Sequence, residues 1–482
     1  FQEVEQMNLF KDMVCYQEEV RDPSRMAEVL NRVIEKAIRG SAPAQINVPR
    51  DFWTQVIDID LPPIVRLERQ AGGVEAIDKA AKLLSEAKFP VILSGAGVVI
   101  GGAIDECVKL AEKLDSPVCS GYQHNDSFPG SHPLAVGPLG YNGSKAGMQL
   151  ISKADVVLAL GTRLNPFSTL PGYGIDYWPK NAKIIQVDMN SDRIGLTKKV
   201  TVAICGDAKL VSEQLLAKLS PKAGDTDRQK RKDTIHQTKS AWLQELSSLD
   251  HEDDDKGTVW NKEARERDKD RMSPRQAWRA IQSGMPDDVI ISSDIGNNCA
   301  IGNAYPTFEK GRKYLAPGLF GPCGYGFPAI LGAKIGCSNT PVIGFAGDGA
   351  FGISMNEMSS CARKEWPAIT MVIFRNYQWG AEKRNSILWF DDNFVGTELD
   401  PELSYAKVAD ACGLKGVTVK TMEETAKAIK QSCEDQKKGI TTFIEVILNQ
   451  ELGEPFRRDA MKKPVRVAGI KKSDMKTQKS LI

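Results

Sequence analysis

The sequence predicts an α/β protein assembled from parallel-sheet domains, on three observations. Short apolar runs alternate with helical patterns over residues 74–220, and the same alternation returns over 273–450. Strand–helix alternation is how a parallel sheet gains helical cover on both faces. Third, in TPVIGFAGDGAFGISMNEMSSCARKEWPAITMVIFRNYQWG, Thr340 to Gly380, an Asp and an Asn each stand just past an apolar strand.

Residues 1–55 hold one amphipathic helix and one strand. The helix DPSRMAEVLNRVIEKAIRG closes on Gly40, with Met26, Val29, Leu30, Val33, Ile34 and Ala37 at a 3.6-residue period. The strand AQINVPRD follows, and the two together are too little for a domain. Residues 74–220 form a central α/β domain. There VEAIDKAAKLLSEA leads into FPVILSGAG and AIDECVKLAEKLD into SPVCSG, before ADVVLALGTR and AKIIQVDMN. Residues 221–272 are crowded with charge and poor in β-branched residues, so they read as a charged linker containing a helix. Ser273-Pro274-Arg275-Gln276 then supplies a capping hydroxyl, a proline at the first helical position and a glutamine three past the cap. It opens a second α/β domain, 273–450, with strands in DDVIISSD, TPVIGFAGDG, AITMVIFRN and TTFIEVIL. The Lys-rich residues 451–482 read as a surface arm.

Composition excludes several classes. A chain of 482 residues exceeds one ordinary core. Its 63 basic and 62 acidic side chains argue for neither a nucleic-acid partner nor a membrane surface. No run of about 18 apolar residues exists, so no transmembrane helix is expected. Ten cysteines are scattered without a C-x-x-C pair, the pattern of free thiols in a reducing cytoplasm. The four histidines lack ligand spacing, and HEDDD at 251–255 reads as solvated linker. The G-x-G of SGAGVVIGGA, residues 94–103, lacks the third glycine and the acidic partner of a dinucleotide fingerprint.

Ligands of a parallel sheet bind beyond the carboxyl ends of its strands. If the strands Val342–Phe345 and Ile369–Phe374 are neighbours, Asp348 and Asn376 reach one point. A carboxylate and an amide carbonyl are hard oxygen donors that suit Mg²⁺, with the backbone carbonyl of Gln378 as a third. Gly347 and Gly349 let the backbone approach a diphosphate, and the helix that follows turns its first amides to the anion.

The order strand, GDG, helix, strand, Asn resembles the binding motif of the thiamine diphosphate (ThDP) enzymes. SSDIGNNCA (292–300) resembles that family's diphosphate turn, which makes Gly296, Asn297 and Asn298 candidate cofactor contacts. GLFGPCGYGFPAILGAKIG (318–336) resembles its glycine-rich turn. Gly321 belongs to that turn, and Cys323 holds the place of the apolar side chain that props the cofactor. Ala350 and Gly380 complete the set. IIQVDMNSDRIGLTKKVTVAICGDA (184–208) looks like the end of the family's central domain, and SAPAQINVPRDFW (41–53) like the end of its pyrimidine-binding domain. The resemblance therefore implies a ThDP-enzyme architecture whose pyrimidine-binding domain is only partly present, as residues 1–55. The chain opens on FQEVEQ without a Met, and Glu3 and Glu5 lie too late in the pattern to be the cofactor-activating Glu. That Glu is expected outside this chain, which reads as N-terminally truncated.

Within the family, GYQHNDSFPG, GPLGYNGSKAGM, GTRLNPFSTLPGYGIDYWP, LAPGLFGPCGYG and FRNYQWGAEKRNSILWFDDNFVGTELD resemble the sulfoacetaldehyde acetyltransferase branch. This implies sulfoacetaldehyde and phosphate going to acetyl phosphate and sulfite, in taurine and sulfonate breakdown. It implies ThDP and Mg²⁺, and no flavin, because sulfite leaves with the electron pair and no oxidant is needed. It also implies a homo-oligomer with an active site shared between chains. Two anions must be held, and Lys383, Arg384, Arg163 and Asn165 are the expected contacts. Trp379 and Trp389 are candidate walls. Three alternatives stand beside this reading: an acetolactate-synthase-like or pyruvate-decarboxylating ThDP enzyme, a dinucleotide-binding protein, and an inactive ThDP-fold protein that works by association.

Overall fold

A computed structural model describes residues 3–61, 63, 68–220, 227–249, 268–311, 313–318, 320–390 and 393–451, apart from the side chains of 249 and 387–389. The HEDDD run and the expected arm from residue 452 onward lie outside the described residues. The chain divides into two compact units, Phe1–Arg69 and Gln70–Ile482.

In the first unit, β1 (Tyr16–Glu19) pairs in parallel with β2 (Ala44–Asn47). The helix Met26–Gly40 joins them and buries Val29 and Val33 against Val20. It ends where Ser41 turns left-handed and returns its N–H to the carbonyls of Ala37 and Ile38. The helical period is as expected, but only part of the apolar stripe is covered within this unit. Leu30 is 42% exposed and Ile34 48%.

The second unit carries two six-stranded sheets, parallel throughout. The first holds β3 (Pro90–Ser94), β4 (Val118–Ser120), β5 (Ala135–Pro138), β6 (Val156–Leu160), β7 (Lys183–Asp188) and β8 (Val202–Cys205), in the order β5-β4-β3-β6-β7-β8. The order reverses between β3 and β6, which in other sheets of this kind is the crevice that takes a dinucleotide. Here the two turns touch through glycine: a Cβ on Gly97 would stand 2.6 Å from the Cα of Gly161, and one on Gly95 2.6 Å from the Gly161 carbonyl oxygen.

The second sheet holds β9 (Ile290–Ser293), β10 (Tyr314–Leu315), β11 (Val342–Gly347), β12 (Thr370–Arg375), β13 (Lys415–Val419) and β14 (Thr442–Ile447). Its order is β10-β9-β11-β12-β14-β13. β11 and β12 are direct neighbours, with Gly347 opposite Phe374. Both runs are rich in β-branched and aromatic residues and are buried along their length, as central parallel strands must be. Helix Pro274–Gly284 packs under them through Trp278, whose ring centroid lies 4.7 Å from Phe345 and 5.3 Å from Phe374. Its capping box is formed by Ser273 and Gln276 as expected.

The structure also departs from the sequence reading. Helix Asp227–Leu249 lies in the expected linker, yet it packs as part of the fold, burying Ile235, Trp242 and Leu246. The Arg231 guanidinium donates to the carbonyls of Lys88, Leu114 and Asp115. The two sheets are joined by buried polar contacts. Asn303 Oδ1 accepts from the Gln123 N–H at 2.9 Å and its Nδ2 donates to the Tyr141 carbonyl at 3.2 Å. The Asn303 carbonyl in turn takes Nδ2 of Asn125 at 2.7 Å. All ten cysteines are free thiols. Among the described residues, no helix is long and apolar enough to cross a membrane.

Candidate active site

The adjacency of β11 and β12 sets two polar side chains at neighbouring strand ends. Asp348 begins the helix Asp348–Ser354 directly after β11, and Asn376 follows β12. A small cleft of about 70 Å³ opens there. Around it stand Gly296, Asn297 and Asn298 from the turn after β9, with Gly347, Asp348, Gly349 and Ala350 from the GDG segment. Asn376, Gln378, Trp379 and Gly380 come from the loop after β12, and Cys323 from the glycine-rich turn. The sequence expectations for these residues thus converge on one place.

Asp348 is 1% exposed. Its Oδ2 accepts the Tyr377 N–H at 2.7 Å and an Arg375 Nη1 at 3.2 Å. Burial pushes its carboxyl up to about 6, while Arg375 and the Tyr377 amide pull the other way. Arg375 is itself fully buried, and its Nε lies 3.6 Å from Glu445. Tyr377 sits at φ 60°, a left-handed conformation that a residue with a β-carbon adopts only at a cost. That turn places Asn376 and Gln378 on either side of it. Asn376 Oδ1 and Gln378 Oε1 are buried without a hydrogen bond, as is Asn298 Oδ1. A buried acceptor left alone costs about 1–3 kcal/mol, so three of them around one cleft are suited to a cation and a polar ligand. Glycine is needed where the walls meet. A Cβ on Gly349 would stand 2.9 Å from the Trp379 ring, and one on Gly380 3.0 Å from Asn297 Nδ2. The residues present therefore fit a divalent cation held by oxygens, beside a phosphate-bearing ligand.

Cys323 is half-buried, and burial pushes its thiol up, so it meets the cleft as a neutral, soft side chain. Gly321, at φ 66°, turns the chain just before it without lining the cleft.

The four expected anion contacts are placed elsewhere. Lys383 is buried on the helix Gly380–Trp389, and its ammonium pairs with Glu398 rather than facing the cleft. Arg384 is half-buried on the same helix. Arg163 follows β6 of the other sheet, where its electrostatic neighbours are Arg193 and Asp188. Asn165 uses its side chain to cap a short turn at Phe167. Trp389 closes its helix, and its side chain lies outside the described residues.

Three groups here were not singled out from sequence. Asp294 joins two walls: its carboxylate accepts the N–H groups of Ile295, Gly324 and Gly326 at 2.8, 3.0 and 2.6 Å. Its position in SSDIGNN, before a turn glycine, was the available signal. Arg375 was visible only as a charge closing an apolar strand. Gln450 approaches the loop from 74 residues away, and no local pattern announces that.

Comparison with known proteins bears on the family. Residues 77–215 match the family model described as the thiamine pyrophosphate enzyme central domain, and 294–446 the C-terminal TPP binding domain. The chain is 76% identical over 481 residues to a probable sulfoacetaldehyde acetyltransferase of Rhizobium meliloti (strain 1021), covering 100% of this chain and 81% of that one. It is 74% identical to the sulfoacetaldehyde acetyltransferase of Roseovarius nubinhibens, covering 99% and 79%. Among solved structures it is similar to benzoylformate decarboxylase from Polynucleobacter necessarius. The TM-score there is 0.74 and the identity 20%, covering 93% of this chain and 78% of that one, a likeness of fold.

Proposed function

The chain belongs to the thiamine pyrophosphate enzymes, in the sulfoacetaldehyde acetyltransferase family, and from that premise we propose that it converts sulfoacetaldehyde and phosphate to acetyl phosphate and sulfite. The observation that carries the site reading is the convergence of Asp348, Asn376 and Gln378 on one cleft with unpaired buried oxygens.

In this reading Asp348, Asn376 Oδ1 and the Gln378 carbonyl hold Mg²⁺. Gly347 and Gly349 admit the diphosphate backbone-close, and Asn297 and Asn298 are its side-chain contacts. Cys323 is the prop under the cofactor. When bound, ThDP supplies a carbon nucleophile and an electron sink. Trp379 lies close against Gly349 and forms one wall of the cleft. Arg375 keeps the Asp348 carboxylate turned toward the cleft. Of the proposed anion contacts, Lys383 and Arg384 share the helix that follows the loop, and Lys383 would first have to leave Glu398. We further propose a homo-oligomer in which a second copy completes the site, and a cytoplasmic setting in keeping with ten free thiols.

The test is sulfite release from sulfoacetaldehyde with ThDP and Mg²⁺, with and without phosphate. Phosphate-dependent sulfite with matching acetyl phosphate supports the reading. Carbon dioxide from pyruvate without sulfite would replace the substrate while keeping the cofactor site. Cofactor binding without turnover of either, in a protein that also carries the cofactor-activating Glu, would favour the inactive, associating protein.

A further inference from the structure

The loop that carries Asn376 and Gln378 is held from behind by one side chain. Gln450 follows β14 and is 2% exposed. Its Nε2 donates to the carbonyl of Asn376 at 3.2 Å and to Glu398 Oε2 at 3.1 Å. Its Oε1 lies 3.5 Å from the Lys383 ammonium. Its own carbonyl accepts Nε2 of Gln378 at 3.1 Å, and its N–H donates to Asp268 at 3.1 Å. Every polar group of this residue is therefore engaged. Two of those bonds fall on the two loop residues whose oxygens face the cleft.

We propose that Gln450 is a positioning residue for the cation loop: by holding the Asn376 carbonyl and the Gln378 side-chain amide from behind, it leaves Asn376 Oδ1 and the Gln378 main-chain carbonyl set to present oxygen to Mg²⁺. The proposal rests on the ThDP and Mg²⁺ reading given above. The physical reason is the metal's demand. Mg²⁺ requires near-octahedral geometry at about 2.0–2.1 Å, whereas Ca²⁺ accepts a looser shell at about 2.3–2.6 Å. A loop fixed by an outer amide suits the first ion, and a relaxed loop still serves the second. Lys383 belongs to the same arrangement, with its ammonium set between Glu398 and Gln450.

The experiment titrates Mg²⁺, and separately Ca²⁺, into the full chain with ThDP, following binding heat. The variants are Gln450→Met, which keeps volume and loses both polar functions, and Gln450→Glu, which keeps shape and loses the donor. The Mg²⁺ concentration at half-saturation rises about 10–100-fold in a folded variant, the range for losing an outer-shell partner. The Ca²⁺ value moves markedly less. Mg²⁺ binding within twofold of the parent overturns the proposal. So does an equal loss for both ions, which would mark general damage. If Gln450→Met does not fold, Gln450→Glu gives the answer. If the parent protein shows no metal-dependent ThDP binding at all, the cofactor reading itself fails, a result distinct from the others.

Discussion

The contact between Gly349 and Trp379 makes the sharpest test of how the cleft is built. An alanine β-carbon at 349 would lie 2.9 Å from Cδ2, Cε2 and Cε3 of the indole. Carbon atoms prefer at least about 3.5 Å, so the ring must retreat by roughly 0.6 Å. Trp379 stands between Gln378 and Gly380 and is pinned by its N–H to the Thr397 carbonyl at 2.8 Å. The retreat therefore drags the cation loop. Overpacking of this kind costs about 1–3 kcal/mol. If the strain appears in the bound state, Gly349→Ala weakens ThDP binding about 5- to 150-fold. Calorimetric titration of ThDP at saturating Mg²⁺ reads this directly. Gly352→Ala is the control. It lies in the same helix, is exposed, and meets nothing closer than the Tyr405 hydroxyl at 3.4 Å. Filling a helical glycine there stabilises by about 0.5–1 kcal/mol and leaves binding alone. Parent-like affinity in Gly349→Ala would refute the account of the wall.

Other substitutions separate ligand roles from structural ones. Asp348→Asn and Asp348→Ala both abolish Mg²⁺-dependent ThDP binding, and binding that survives either removes Asp348 from the metal shell. Both lose the charge opposite Arg375, and they differ in stability because asparagine keeps an amide oxygen to accept from Arg375 and the Tyr377 N–H whereas alanine keeps none. That should cost the alanine variant about 1–3 kcal/mol in a denaturant melt beyond the change seen with asparagine. Burial pushes the His124 imidazole down to about 4 from an ordinary 6.5. The unfolded chain then takes up the proton first, so stability is full above pH 6.5 and declines as pH falls toward 4. The full shift corresponds to about 3 kcal/mol, and partial exposure trims it to ~2 kcal/mol. His124→Gln should flatten that slope, and an unchanged slope would exonerate His124. Ser273→Ala removes the helix cap at about 1 kcal/mol and leaves cofactor affinity unchanged.

The strands that could be read from sequence were those that had to be buried on both faces. Ile343 to Phe374 is the clear case, where apolar runs end abruptly in Gly-Asp-Gly and Arg-Asn. The cleft could be read for the same reason, because strand ends in a parallel sheet share one edge. β5 was not anticipated, since Gly137 and Pro138 break its pattern, and β10 is two residues long. Helix Asp227–Leu249 hid its buried residues, Ile235, Trp242 and Leu246, among charges that pair with neighbouring elements. The environments of Lys383 and Gln450 were illegible because their partners lie 15 to 182 residues away. A cation beside a presumed anion site looks the same in sequence whether it faces the ligand or a carboxylate behind it.

The buried link through Asn303 has a consequence for how the chain reaches its native state. Its partners Gln123, Asn125 and Tyr141 stand 180, 178 and 162 residues earlier. Each of these bonds spans a long stretch of chain, so the entropy of closing that stretch must be met before the bond contributes. Docking of the two sheets is therefore a late event on the folding route, after most chain entropy has been lost. Interactions absent from the rate-limiting step act mainly on the rate of unfolding. One asparagine thus sets how long the assembled molecule lasts more than how fast it is made.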